Sequence, residues 1–168
     1  FIRELFEHKS EFDFLEIIAD HYIQAPAQKR YELELLKKNF ILIPHAINLS
    51  PGKAEGVNKK YVSQLKELID YLKPPYWSEH ISYSSTGDHE IGHLAPLAFT
   101  EASVEVLASN LKTVRKQIAT PLILENIAYQ VVVKGAEMTE VEFIRRIVEK
   151  CECQLLLDAT NLCYNSGN

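Results

Sequence analysis

Long apolar runs, basic tracts, paired cysteines and glycine-rich motifs are all scarce in this 168-residue chain, and each scarcity removes a class of function. No stretch approaches the roughly 20 apolar residues of a membrane span. The opening FIRELFEHKS carries charge where a secretion signal needs an apolar core, so the chain reads as cytoplasmic, with no membrane partner. No lysine or arginine tract exceeds a pair and the formal net charge is −5, which leaves nothing to draw the chain to a phosphate backbone; no nucleic acid is expected. There are only three cysteines, and Cys151 and Cys153 flank a single residue, so reduced thiols rather than a disulfide framework are expected. Met138 is the only methionine, and a sequence that starts at Phe1 and stops in YNSGN reads as a piece of a longer protein.

What is present is enough for one core. With 46% hydrophobic and 24% charged residues the chain fits a single globular domain, residues 1–168. Apolar runs at 13–18, 40–44, 75–83, 122–125 and 154–157 alternate with segments of helical spacing. QKRYELELLKKN follows Pro26, with Tyr31, Leu33 and Leu36 as its expected stripe. Tyr61, Leu65, Leu68, Ile69 and Leu72 form a second stripe, stopped by Pro74 and Pro75. Thr100 is placed to cap a helix with Val104, Leu107, Leu111, Val114 and Ile118 inward, after a long loop. Thr139-x-x-Glu142 is a capping box opening a fourth helix.

Five nearly all-apolar strands alternating with four helices give an α/β fold with a parallel sheet covered on its faces. Two closures satisfy that pattern: an open doubly wound sheet, or the first units of an eight-stranded barrel that normally needs about 250 residues. No G-x-G-x-x-G follows any strand, so the dinucleotide version of the open sheet has no support. The favoured reading is a TIM-type barrel truncated to about five parallel strands, its C-terminal β/α units missing.

Four of the runs end on a metal-capable residue: FILIP on His45, PYWSE on His80, PLIL on Glu125 and QLLL on Asp158. Carboxyl ends of successive parallel strands converge on one face, so these side chains can meet around one ion. Each has a plainer reading. A lone strand-end histidine such as His45 is commonly a hydrogen-bonded scaffold residue. Glu79 and His80 must point to opposite sides of their strand, so only one can be a ligand. Glu125, among aliphatics and beside Asn126, needs a cation, a proton or several donors. Asp158 competes for the role of helix N-cap. Together, two imidazoles and two carboxylates supply the N/O donor set that iron, manganese or zinc accept, with no thiolate to make a closed structural site.

The phrases FLEI…DHY, PHAINLS, SEHISYS, GHLAPLAFTEAS, LILENIAY, MTEVEF and LLLDATN, in that order, resemble the multinuclear non-haem iron-dependent oxidative enzymes (MNIO), a family formerly known only as a domain of unknown function. The resemblance runs over nearly the whole chain. It implies a xylose-isomerase-like barrel holding two or three irons, dioxygen as co-substrate, and oxidation of cysteine in a ribosomally made precursor peptide brought by a separate partner protein. It further implies His45 and His80 as ligands of one iron, Glu125 as a bridging carboxylate, Asp158 as a ligand of the second and Asn161 near a third. Glu16 and His21 fall in the stretch at the first strand's end, His21 where the family has an asparagine, and His93 falls in a loop over the site. Glu79 and Asn126 are expected to orient the ligands, whereas His8 and His89 read as solvent-facing. Two readings stand beside this one: a barrel with one divalent metal acting on a sugar or phosphodiester, and a metal-free peptide-binding scaffold.

Overall fold

The computed structural model describes residues 2–87 and 89–167. Its elements in chain order are α1 (Ile2–Glu7), β1 (Leu15–Ile18), α2 (Ala27–Asn39), β2 (Leu42–His45), α3 (Lys59–Leu72), β3 (Trp77–His80), β4 (Tyr83–Thr86), β5 (His89–Ala95), α4 (Glu101–Arg115), β6 (Leu122–Glu125), α5 (Glu140–Cys151), β7 (Gln154–Leu156) and α6 (Ala159–Asn165).

The helices begin and end where local chemistry dictates. Asn58 caps α3 by accepting from the N–H groups of Lys60 and Tyr61, and Lys73 closes it in the left-handed conformation at φ 54° before Pro74 bars continuation. Thr100 caps α4 through the Ser103 N–H. Thr139 caps α5 through the Glu142 N–H, but the Glu142 carboxylate turns to Arg145 and Arg146 instead of reaching back, so only half of the expected capping box forms. On α2, Leu33 and Leu36 are buried but Tyr31, expected on the same stripe, is 64% exposed. At 3.6 residues per turn Tyr31 lies about 160° around the helix from Leu33, so the two cannot share a face.

The sheet contains β1-β2-β3-β6-β7, every neighbouring pair parallel. With the β4–β5 hairpin set aside, spatial order equals chain order. A doubly wound sheet must reverse direction somewhere; this one does not, so right-handed crossovers carry every connecting helix to the same face. That is an arc of a TIM-type barrel. Val62, Leu65, Leu107, Leu111, Val114, Phe143 and Ile147 of the helices are buried in one cluster with Leu42, Trp77, Leu122 and Leu124 of the strands. Trp77 also donates its indole N–H to Thr120 O at 3.1 Å, so the largest core side chain leaves no buried donor unpaired.

Four elements depart from the expected five strands and four helices. Helices α1 and α6 add to the ends, and the segment expected as a long loop before α4 contains the antiparallel hairpin β4–β5. The hairpin strands YSST and HEIGHLA lack apolar alternation because they pair mainly with each other and remain largely exposed.

Candidate metal centre

Parallel register brings the carboxyl ends of the three inner strands level. His80 is the Cα partner of Glu125, and His45 pairs with Ser78, two residues before His80 on the same side of that strand. His45 Nε2 stands 3.2 Å from His80 Nε2, the rings meeting edge-on at 88°. Glu125 Oε2 lies 3.8 Å from the first nitrogen and 3.9 Å from the second. The three residues each offer one ligand atom within 4.8 Å of the others. Donors about 2.0–2.2 Å from a common ion stand roughly 3–3.5 Å apart, so slight closure brings all three into coordination.

Each imidazole is oriented from behind. His45 Nδ1 is 2.8 Å from Ser78 Oγ, and His80 Nδ1 is 3.3 Å from Glu79 Oε1. With a proton on each Nδ1 shared with those oxygens, both Nε2 lone pairs face the same point. Two lone pairs at 3.2 Å repel unless a proton or cation lies between them.

Electrostatics press the same way. Burial, then the neighbouring His80, push the His45 pKa below the usual histidine value. Burial also lowers that of His80, although Glu125 pulls it back up. Burial raises the Glu125 pKa, against the lowering effect of His80, with Asp158, Glu16 and Glu79 adding to the rise. Among the described residues no protein group donates a hydrogen bond to the Glu125 carboxylate. Two neutral imidazoles and a carboxyl reluctant to ionise are an ill-matched set alone, and a divalent cation satisfies all three. Two nitrogens and one oxygen suit iron, manganese or zinc, and three protein donors leave coordination positions open.

The other expected residues are distributed around this cluster. Glu79 is fully buried and turns away from the barrel interior, as strand alternation requires: Oε1 accepts from His80 N at 2.7 Å and Oε2 from Leu49 N at 3.0 Å. Asn126 exchanges two hydrogen bonds with the Asp158 backbone, at 2.8 and 3.0 Å, and its carbonyl accepts from Asn161 Nδ2 at 2.9 Å. Asp158 sits two residues past β7 and caps α6, Oδ1 accepting from Asn161 N at 2.9 Å. It stays outside the three-residue cluster, although its charge reaches Glu125. Glu16 is exposed on β1, its charge felt by both histidines and Glu125. His21 is exposed in a 3-10 turn after β1, and His93 is exposed on β5. His8 and His89 are exposed, and Cys163 is exposed on α6. Ser78, which fixes the His45 ring, was missed from sequence; its signal is the two-residue spacing to His80, which puts both on the same side of β3.

A family model described as RiPP precursor modification enzyme MbnB/TglH/ChrH matches residues 1–168. A UPF0276 protein of Vibrio parahaemolyticus is 32% identical over 162 residues, covering 96% of this chain and 56% of the relative. A UPF0276 protein of Shewanella oneidensis is 33% identical over 159 residues, covering 95% and 56%. The chain thus spans about half the length of the curated relatives it matches. Among solved structures, D-psicose 3-epimerase from Clostridium cellulolyticum H10 with D-tagatose superposes at TM-score 0.59 and 12% identity, over 99% of this chain and 61% of that one. A D-psicose 3-epimerase in the presence of D-fructose gives 0.57 at 11% identity, over 94% and 57%. At those identities the likeness carries the barrel fold and nothing of the sugar chemistry.

Proposed function

Since this chain belongs to the MbnB/TglH/ChrH family of RiPP precursor modification enzymes, we propose that it forms part of the metal-binding face of an enzyme that oxidatively modifies cysteine in a ribosomally made precursor peptide. The observation that supports this most is the convergence of His45, His80 and Glu125 at the ends of three adjacent parallel strands. In this reading His45 and His80 hold one iron, and Glu125 bridges it to a second. Asp158 is a ligand of that second ion: one of its oxygens caps α6, which leaves the other for coordination. Asn161, bonded to the Asn126 carbonyl, borders a third. Iron held there would supply the redox couple and Lewis acidity with which dioxygen oxidises a thiol.

The chain's own residues prepare and protect that chemistry. Ser78 and Glu79 keep the protons of His45 and His80 on Nδ1 and the lone pairs on Nε2. Asn126 ties the Asp158 backbone to the end of β6, fixing the separation between Glu125 and Asp158. Glu16 adds negative charge on the β1 side, which favours cations of higher charge. His21 and His93, both exposed, would meet the peptide, which a separate partner protein would deliver.

The test uses full-length protein purified without oxygen, with elemental analysis and mass spectrometry of a cysteine-containing precursor peptide after air is admitted. More than one iron per chain and an oxygen-dependent mass change in the peptide are expected. A lone zinc, manganese or magnesium, with no peptide change, would instead favour a sugar or phosphodiester enzyme. Metal-free protein that still binds the peptide would make the barrel a scaffold.

A further inference from the structure

Residues 46–49 run directly on from His45, and the backbone N–H groups of Ala46, Ile47 and Leu49 are each taken by a partner from elsewhere. Ala46 N donates to Ser78 O of β3 at 2.8 Å. Ile47 N donates to Asp20 Oδ2 at 2.9 Å, just past β1. Leu49 N donates to Glu79 Oε2 at 3.0 Å. The hydroxyl of Tyr61, on the first turn of α3, donates to Asp20 Oδ1 at 2.9 Å, so both oxygens of Asp20 are engaged.

A loop leaving a strand end ordinarily finds water for its N–H groups and remains free to move. Here the carboxylates of Asp20 and Glu79 replace that water at Ile47 and Leu49, Tyr61 braces Asp20, and the ligand His45 is the residue the segment is attached to. Tyr61 is not a space-filling aromatic, because its hydroxyl donates to Asp20 within the network. Burial, with the charges of Glu79 and Asp20, holds its pKa far above the usual tyrosine value, so the hydroxyl stays a donor. Asp20 acts on the centre through the main chain and by its charge on His45 and His80, since its oxygens are occupied and it is not one of the three converging donors.

Resting on the metal-centre reading above, we propose that Tyr61 and Asp20 are positioning residues of that centre, fixing the segment after His45 so that its Nε2 stays aimed at the donors of His80 and Glu125. Neither touches the ion. Loss of either loosens residues 46–49 and spreads the orientations open to the His45 ring.

The test is Co(II) titration of metal-free, full-length protein, read by affinity and by the visible ligand-field spectrum. Tyr61→Phe and Asp20→Asn are each expected to weaken Co(II) binding about tenfold, as loss of outer-shell partners does, and to shift the band. Both should also speed amide hydrogen exchange at Ile47. The control Tyr22→Phe removes a comparable hydroxyl bond, to Glu32 on α2, and should leave affinity and spectrum as in the parent. If Tyr61→Phe does not fold, Asp20→Asn keeps the side-chain volume and carries the same readouts. Parent-like affinity and spectrum in the folded variants, or equal weakening by Tyr22→Phe, would overturn the positioning role while the centre stands. His45→Ala with parent-like Co(II) affinity would overturn the centre, and this role with it.

Discussion

Strands β2, β3 and β6 lie inside the sheet with a strand on either side, whereas β1 and β7 form its edges, and the candidate ligands divide along the same line. On the inner strands His45, His80 and Glu125 are at most 13% exposed at the side chain and converge on one point. At the edges Glu16 is exposed, and Asp158 is half-buried with one oxygen committed to capping a helix. A carboxylate on an outer strand of this arc keeps more of its water. One pressed between two strands loses water and needs a cation or a proton. Within these five strands, register as well as residue type sets which donors converge.

The largest effect that sharpens this contrast is in metal content. Glu125→Gln in the full-length protein should empty the inner site and the second ion together, while Asp158→Asn should remove only the second, as read by elemental analysis. Full retention by Asp158→Asn would leave Asp158 as a helix cap and nothing more.

Stability should follow the same division. Leu124, wholly buried on β6, loses about 2–5 kcal/mol on replacement by alanine, whereas Leu157, 55% exposed past β7, changes stability by no more than about 0.5 kcal/mol. Denaturant unfolding of the two variants measures this, and similar losses would erase the distinction between interior and edge.

A smaller effect is in pH. His45 and His80 titrate below the usual 6.5 when folded, so below 6.5 the unfolded chain binds more protons than the folded one. Their contribution to metal-free stability is complete above 6.5 and declines as pH falls through the folded values. Glu125 works oppositely: its contribution is complete below the ordinary 4.5 and is lost as pH rises toward its raised folded value. Thermal melts of metal-free protein should therefore fall on acidification below 6.5 with a shallower slope in His45→Ala; an unchanged slope would contradict the assignment.

The smallest effect separates thiols within the β7 region. Cys163, exposed on α6, should react first with an alkylating reagent, and Cys151, buried and pushed up to about 12 by that burial, should resist it in folded protein. Peptide mapping by mass spectrometry distinguishes them.

The legible parts of the chain were those with a strong period or a strong end. Apolar runs ending on His45, His80 and Glu125 marked the strands, and parallel order implied their meeting. The hairpin of β4 and β5 escaped because strands that pair mainly with each other need no apolar alternation. Ser78 escaped because a serine within a buried run reads as filler until the partner strand's register sets it against His45. Asp20 and Tyr61 are 41 residues apart, and only the folded chain shows that they share a hydrogen bond.

The most direct measurement is anomalous scattering at the iron or manganese edge from crystals of the full-length protein grown with that metal. The account predicts a peak within about 2.0–2.3 Å of His45 Nε2, His80 Nε2 and a Glu125 carboxylate oxygen. Clear density for those three side chains, with no peak between them or with the metal bound elsewhere, would contradict it.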